Sequence, residues 1–193
     1  MKEMTPKPHA AEPIRTKAQI DKAKMKILHN ENYKFYVLFC MGINTGLRIG
    51  DLRGLTWAQI LSRDGSVKEY IQIIQQKTKK PVTIKLIDLK DIIMKLRGTN
   101  PDDLYLFQSD HHHAKGESYS RQAISNVLNN NIDGVEYLST HSLRKTFGYM
   151  AYKSGIPIAY ISERLGHRSV KQTMRYLCIT EDEARKAFEG FLL

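Results

Sequence analysis

Apolar positions recur along the chain at two spacings, which divide it into helices and one hairpin. Ile20, Ala23, Ile27 and Leu28 keep the period of a helix that packs one face, and Thr16 with Gln19 supplies a capping box at its start. The polar break His29-Asn30-Glu31-Asn32 then leads into YKFYVLFCMGI, apolar nearly all round and suited to a helix at the domain centre. Gly46 permits a tight turn, after which Ile49, Leu52 and Leu55 form an inward stripe with Arg48 at the first turn. Asp64-Gly65 turns the chain into YIQIIQQ and PVTIKL, whose alternation predicts two strands, with Ile71 and Ile73 against Val82, Ile84 and Leu86. Lys77-Thr78-Lys79-Lys80 occupies the tip.

The second half repeats the helical period. Asp88 can cap a helix that turns Leu89, Ile92, Ile93 and Leu96 inward and closes at Gly98; LYLF at 104–107 reads as a short buried segment. Ser120 begins a helix with Ile124, Val127 and Leu128 inward, stopped by the asparagines 129–131 and Asp133-Gly134. Leu143, Phe147, Met150 and Ala151 mark another, which Ser154-Gly155-Ile156-Pro157 ends. Ile158, Ile161 and Leu165 line a helix that ends at Gly166, and Ser169 with Gln172 predicts a capping box for a third, short one that closes near Tyr176. Thr180 and Glu183 box a last helix, with Ala184, Ala187, Phe188 and Phe191 on one face that must dock on its own domain or on a neighbouring copy. The fold class predicted is mainly α with a small antiparallel β-sheet (α+β).

Composition sharpens this picture. The 193 residues suffice for one domain with a substantial core, and the first 15, with three prolines and no apolar period, read as a linker or flexible lead-in. Lys and Arg number 30 against 20 Asp and Glu, a net charge of +10 that points to a polyanionic partner. No long uncharged apolar run or signal peptide is present, so a membrane-spanning or secreted protein is not expected. Cys40 and Cys178 lack metal-type spacing and read as reduced thiols.

Several residues carry candidate chemistry, each with a plainer reading beside it. Arg48 at a helix start is opposed by the helix dipole, a cost that an anionic ligand offsets; it reads equally well as a solvated arginine. The lysines at the hairpin tip serve solubility and edge protection, or reach a phosphate as a cationic finger. His141 and Arg144, three apart on a helix, share a face. His111-His112-His113 tempts a metal reading, but consecutive residues cannot all face one ion on a regular element, and no metal or cofactor is expected.

Taken in order, TGLRIGDL, KTKKPVTIKL, HSLRKTF and LGHRSVKQTMRYL resemble the four boxes of the tyrosine recombinases, the phage-integrase family, over about Thr16 to Phe188. The resemblance implies that family's catalytic-domain fold over residues 16–193 and a site made of Arg48, Lys77, His141, Arg144, His167 and Tyr176. It implies that Tyr176 attacks a DNA phosphodiester, that two arginines clamp the phosphate, and that Lys77 serves as general acid, with Lys79 and Lys80 as rivals chosen against only by place in the pattern. His141 is similar to the family's acid/base histidine and His167 to its phosphate-binding one. Partners implied are double-stranded DNA and further copies of the chain, as a tetramer on DNA through the C-terminal helix and a monomer without it, in the cytoplasm of a bacterial or phage-host cell. Two alternatives stay open: an inert DNA-binding module, and a topoisomerase-like enzyme with the same tyrosine chemistry.

The sequence departs from the family's pattern in three places. Lys145 stands where many members carry a second histidine, with little loss expected, and Asp51 where glutamate is frequent. The helical core-binding domain that usually precedes the catalytic one is absent from residues 1–15, so the chain reads either as an excised domain or as half a clamp with weak, salt-dependent binding.

Overall fold

The computed structural model describes residues 10–86, 89–111, 113, 116–186 and 189. Helices α1 (Lys17–His29) and α2 (Tyr33–Thr45) come first, then two short ones, α3 (Ile49–Arg53) and α4 (Trp57–Ile60). Strands β1 (Tyr70–Ile74) and β2 (Pro81–Lys85) form an antiparallel pair, with Ile71 opposite Ile84 and Ile73 opposite Val82. Helices α5 (Lys90–Thr99), α6 (Arg121–Asn131), α7 (Thr140–Lys153), α8 (Ile158–Arg164), α9 (Val170–Tyr176) and α10 (Glu181–Lys186) complete the order. Mainly helical with one small sheet, this is the predicted class. Among the described residues no helix is long and apolar enough to cross a membrane.

The core explains the order. Helix α2 is buried almost throughout, from Phe35 to Thr45, as its all-round apolar sequence requires. Helix α7 packs along it, and Leu143 fills the space over Gly42. Most buried side chains belong to one cluster that extends from Ile14 to Leu143. A second cluster, made of Tyr149, Ala151, Ile161, Leu165, Leu177 and Ile179, binds α8 and α9 to the far end of α7. Helix α7 therefore joins both clusters, Leu143 in the first and Tyr149 and Ala151 in the second.

Caps set most boundaries as read. Thr16 and Gln19 form a reciprocal box on α1, and Thr180 and Glu183 bond each other's backbone N–H at the start of α10. At α9 only half the expected box exists: Ser169 accepts from Gln172 N, but the Gln172 side chain accepts from Arg168 N instead. Leu104 is 57% exposed, so the buried run at 104–107 narrows to Leu106 and Phe107. Leu28, Ile92, Val127 and Val82 are half-buried rather than enclosed. Helix α5 extends one residue past Gly98; the cap expected of Asp88 lies outside the described residues, as do His112 and Ala187, Phe188 and Phe191 of the last apolar face.

The lead-in differs more. Ile14 is 0% exposed and its N–H donates to Thr146 Oγ1 of α7 at 2.8 Å, while Glu12 N bonds Tyr137 O. Arg15 donates to Cys178 O at 3.0 Å, lies over the Tyr149 ring and pairs with Glu183. Residues 10–15 are thus packed on the helices rather than free of them.

Gly46 closes α2 with φ of +64°, a conformation that L side chains adopt at a cost, and a Cβ there would collide with the Phe147 ring. Gly46→Ala is expected to lose about 2–4 kcal/mol of unfolding free energy from backbone strain plus overpacking, measurable by denaturant titration.

Candidate active site

The turn that Gly46 makes is fixed by two arginines. Arg164 of α8 donates through Nε and Nη2 to Thr45 O at 3.0 and 2.8 Å, and Arg144 of α7 donates through Nη1 to Gly46 O. Arg144 Nη2 donates to Leu165 O at 2.5 Å. Arg48 follows as the residue before α3, and its Nη1 donates to Gln75 Oε1 at 2.8 Å.

Gln75 in turn organises the hairpin tip. Its side chain is buried and accepts from Thr78 Oγ1 at 2.8 Å, and its backbone bonds Lys79 N and Lys80 O. Asp51, buried in α3, accepts from Gln76 N at 2.8 Å. The lysine tip is thereby held beside Arg48. Lys77 and Lys80 line the cleft formed here, whereas Lys79, with φ of +57°, is not among the lining residues.

Helix α7 presents the next pair. Ser139 caps it and accepts from His141 N, which places His141 in the first turn and Arg144 one turn later. The following residue, Lys145, is only 6% exposed; its Nζ is 5.0 Å from the centre of the Tyr176 ring and 3.5 Å from Cys178 Sγ. His167 follows the Gly166 turn. Its Nδ1 is 3.0 Å from Thr173 Oγ1, which is 2.8 Å from Ser162 Oγ, and the direction of that chain sets the tautomer of the ring. Tyr176, the last residue of α9, meets the His167 ring edge-on, with centroids 4.8 Å apart.

Arg48, Lys77, His141, Arg144, His167 and Tyr176 all line one open cleft of about 1530 Å³, bounded by the hairpin tip, α7, α8 and α9. Its charges act on one another. Burial holds the Tyr176 hydroxyl pKa above its ordinary value, while Arg144 and Arg48 pull it back down. Burial and the neighbouring Arg48 lower Arg144 to about 10, so it remains a cation at neutral pH. His141 is depressed by burial, then by Lys145, Arg144, Arg121 and Arg48, and His167 by burial, Arg144 and Arg48. Both imidazoles are therefore neutral at pH 7, and His141 is free to accept a proton.

These two shifts carry a stability consequence. Each histidine binds protons more weakly when folded than when unfolded, so acid favours the unfolded chain. Stability is expected to be full above about pH 6.5, the unfolded value, and to fall as pH drops from there toward the lower folded values. Urea titrations of the wild type and of the double variant His141→Gln/His167→Gln at pH 8, 6.5 and 5 check this: the variant should lose less stability between pH 8 and 5.

Sequence reading missed Gln75, Thr173, Ser162 and the contact of Lys145. Gln75 did carry a signal, because it continues the inward register of Ile71 and Ile73 where an apolar residue is usual. Among the described residues no group of three or more His, Cys, Asp or Glu could hold a metal ion.

With this geometry in place, the model of the Phage integrase family matches residues 16–183. The chain belongs to the phage integrase family. This integrase-family chain is 35% identical over 191 residues to "Probable integrase/recombinase YoeC" of Bacillus subtilis (strain 168), with 95% of the chain and 98% of the relative covered. XerA recombinase shares its fold with a TM-score of 0.67 and 18% identity, over 96% of the chain and 66% of that protein. A lambda integrase tetramer bound to a Holliday junction matches with a TM-score of 0.61 and 18% identity, over 86% of the chain. The integrase-family chain spans 49% of that lambda integrase chain.

Proposed function

We propose that this chain is the catalytic domain of a site-specific DNA recombinase or integrase, which cleaves and rejoins double-stranded DNA through a covalent bond to Tyr176. The observation that carries the reading is the meeting of six side chains, drawn from positions 48 to 176, in one cleft.

In this reading Tyr176 Oη attacks the phosphorus of a backbone phosphodiester. The P–Oη bond forms, the bond to the 5′ oxygen breaks, and a 3′-phosphotyrosyl link and a free 5′-hydroxyl result. A phenol is a weak nucleophile while protonated, and neutral His141 accepts its proton. Charge that gathers on the non-bridging oxygens meets Arg48 and Arg144. Each η nitrogen of Arg144 directs one proton to a carbonyl and keeps a second for the phosphate. Lys77 protonates the departing 5′ oxygen. The Thr173 hydroxyl, 3.0 Å from His167 Nδ1, holds that imidazole in the cleft beside the phosphate. Because the phosphotyrosyl link conserves the bond energy, rejoining requires no ATP, and this residue set calls for no metal. On DNA the chain works as a tetramer, the assembly named for lambda integrase on a Holliday junction, with its C-terminal segment as the contact between copies.

The test is a DNA duplex nicked just beyond the cleavage point, so that the short fragment diffuses away and traps the covalent complex. The expected result is a protein–DNA adduct that survives denaturant and persists in EDTA, mapped by mass spectrometry to Tyr176. DNA binding with no adduct would indicate an inert module, and resealing without exchange of partners a topoisomerase-like enzyme. An adduct on a serine, or one that requires magnesium, rejects the mechanism.

A further inference from the structure

Lys145 has surroundings unlike those of an ordinary lysine. Taking an ammonium out of water is costly unless an opposite charge accompanies it. Lys145 is 6% exposed, yet among the described residues no carboxylate forms an ion pair with it. Lys34, equally buried, contrasts with it: its Nζ meets Asp103 at 2.9 Å and Asp110 at 2.6 Å. What Lys145 has instead is the Tyr176 ring, 5.0 Å below its Nζ, and the Cys178 sulfur, 3.5 Å away.

We propose that Lys145 is a positioning residue for the reaction: its ammonium, held over the face of the Tyr176 ring, fixes the phenol in the cleft for attack. The electron-rich face of the ring attracts a cation, and the attraction is largest where water is excluded. His167 meets the same ring in a T-shaped contact with centroids 4.8 Å apart, so two side chains together restrict its tilt. The sulfur of Cys178, two residues past Tyr176, accepts from the same ammonium at 3.5 Å and helps to fix it in place. This is a role for the residue that follows Arg144, distinct from the phosphate clamp: Lys145 is not among the residues that line the cleft and acts on the nucleophile from behind it.

The inference rests on the proposed Tyr176 chemistry, and its test separates the two. Lys145→Met keeps the length of the side chain and removes the charge; Lys145→Arg keeps a cation over the ring. Adduct formation on saturating nicked duplex, DNA affinity and melting temperature are measured for the wild type and both variants. In addition, the Tyr176 ring resonance, assigned by its loss in Tyr176→Phe, is followed in protein labelled with [13C]tyrosine and free of DNA. Lys145→Met is expected to form adduct about tenfold more slowly, the rate equivalent of a cation–aromatic contact in a desolvated site, with DNA affinity unchanged. Its melting temperature should not fall, because a buried charge with no carboxylate has been removed. The Tyr176 resonance should shift, and Lys145→Arg should restore most of the rate. Wild-type adduct formation with an equal rate in Lys145→Met overturns this role alone. A slow Lys145→Met that is also less stable, with the Tyr176 resonance unmoved and no rescue by arginine, makes Lys145 structural and overturns it as well. Absence of an adduct from the wild type overturns the proposed function itself.

Discussion

Tyr176→Phe is expected to yield no covalent adduct on the nicked duplex while it binds DNA as the wild type does. The substitution removes one oxygen and leaves the ring, so the edge contact with His167 and the face contact with Lys145 both persist. The fold loses little: the hydroxyl's hydrogen bond to Arg144 goes, but Ser169 still caps α9 at its start and Leu177 N still bonds Thr173 O at its end. The proposed reaction loses its nucleophile. On a denaturing gel with labelled DNA the shifted band should drop below detection, a fall of more than about 1000-fold for loss of the attacking group. A residual adduct of wild-type intensity would place the nucleophile elsewhere. Reduced DNA binding in the variant would mean that the hydroxyl contributes to the complex before cleavage.

Arg144→Ala is expected to have two large effects at once. Its guanidinium is 3% exposed and donates to the carbonyls of Gly46 and Leu165, so truncation strips two buried acceptors of their partner. At about 1–3 kcal/mol for each unsatisfied group, the loss of stability should reach about 3 kcal/mol or more in a denaturant titration. In the proposed mechanism it also removes a donor to the charge that develops on the phosphate, which should slow adduct formation by roughly 100-fold or more. Arg48→Ala makes the comparison informative. Arg48 is half-buried and bonds the Gln75 amide, with no backbone carbonyl among its hydrogen bonds, so its loss should slow the reaction comparably with a much smaller change in stability. If both variants cleave at the wild-type rate, the clamp assignment is wrong. Arg144→Lys should not restore activity, because one ammonium cannot reach two carbonyls and a phosphate in the planar geometry of the fork.

How far the sequence could be read depended on the range of the interaction. Local signals were legible: the Thr16 and Thr180 caps, the Gly46 turn and the alternation of Ile71 and Ile73 act within a few residues and appeared where expected. The packing of residues 10–15 was not. A single isoleucine among prolines has no period, and its partner Thr146 lies 132 positions away. Thr173 and Ser162 each occupy a helical position where a small polar residue is unremarkable, and only the return of α9 against α8 brings them to His167. The proximity of the six site residues was likewise invisible to periodicity. The order of the four boxes carried it, through likeness to a family rather than through any local rule. Lys145 shows the limit of that route: a departure from the pattern looked unimportant until the fold placed it against Tyr176.

The two carbonyls that hold Arg144 belong to turns 119 positions apart in the chain, one before Arg48 and one before His167. Neither turn can orient that guanidinium until the other has arrived. A nascent or partly melted copy thus has the groups of the cleft scattered. Under the proposed chemistry, the capacity to break a strand switches on only with the completed tertiary structure, which makes the fold itself the safety catch.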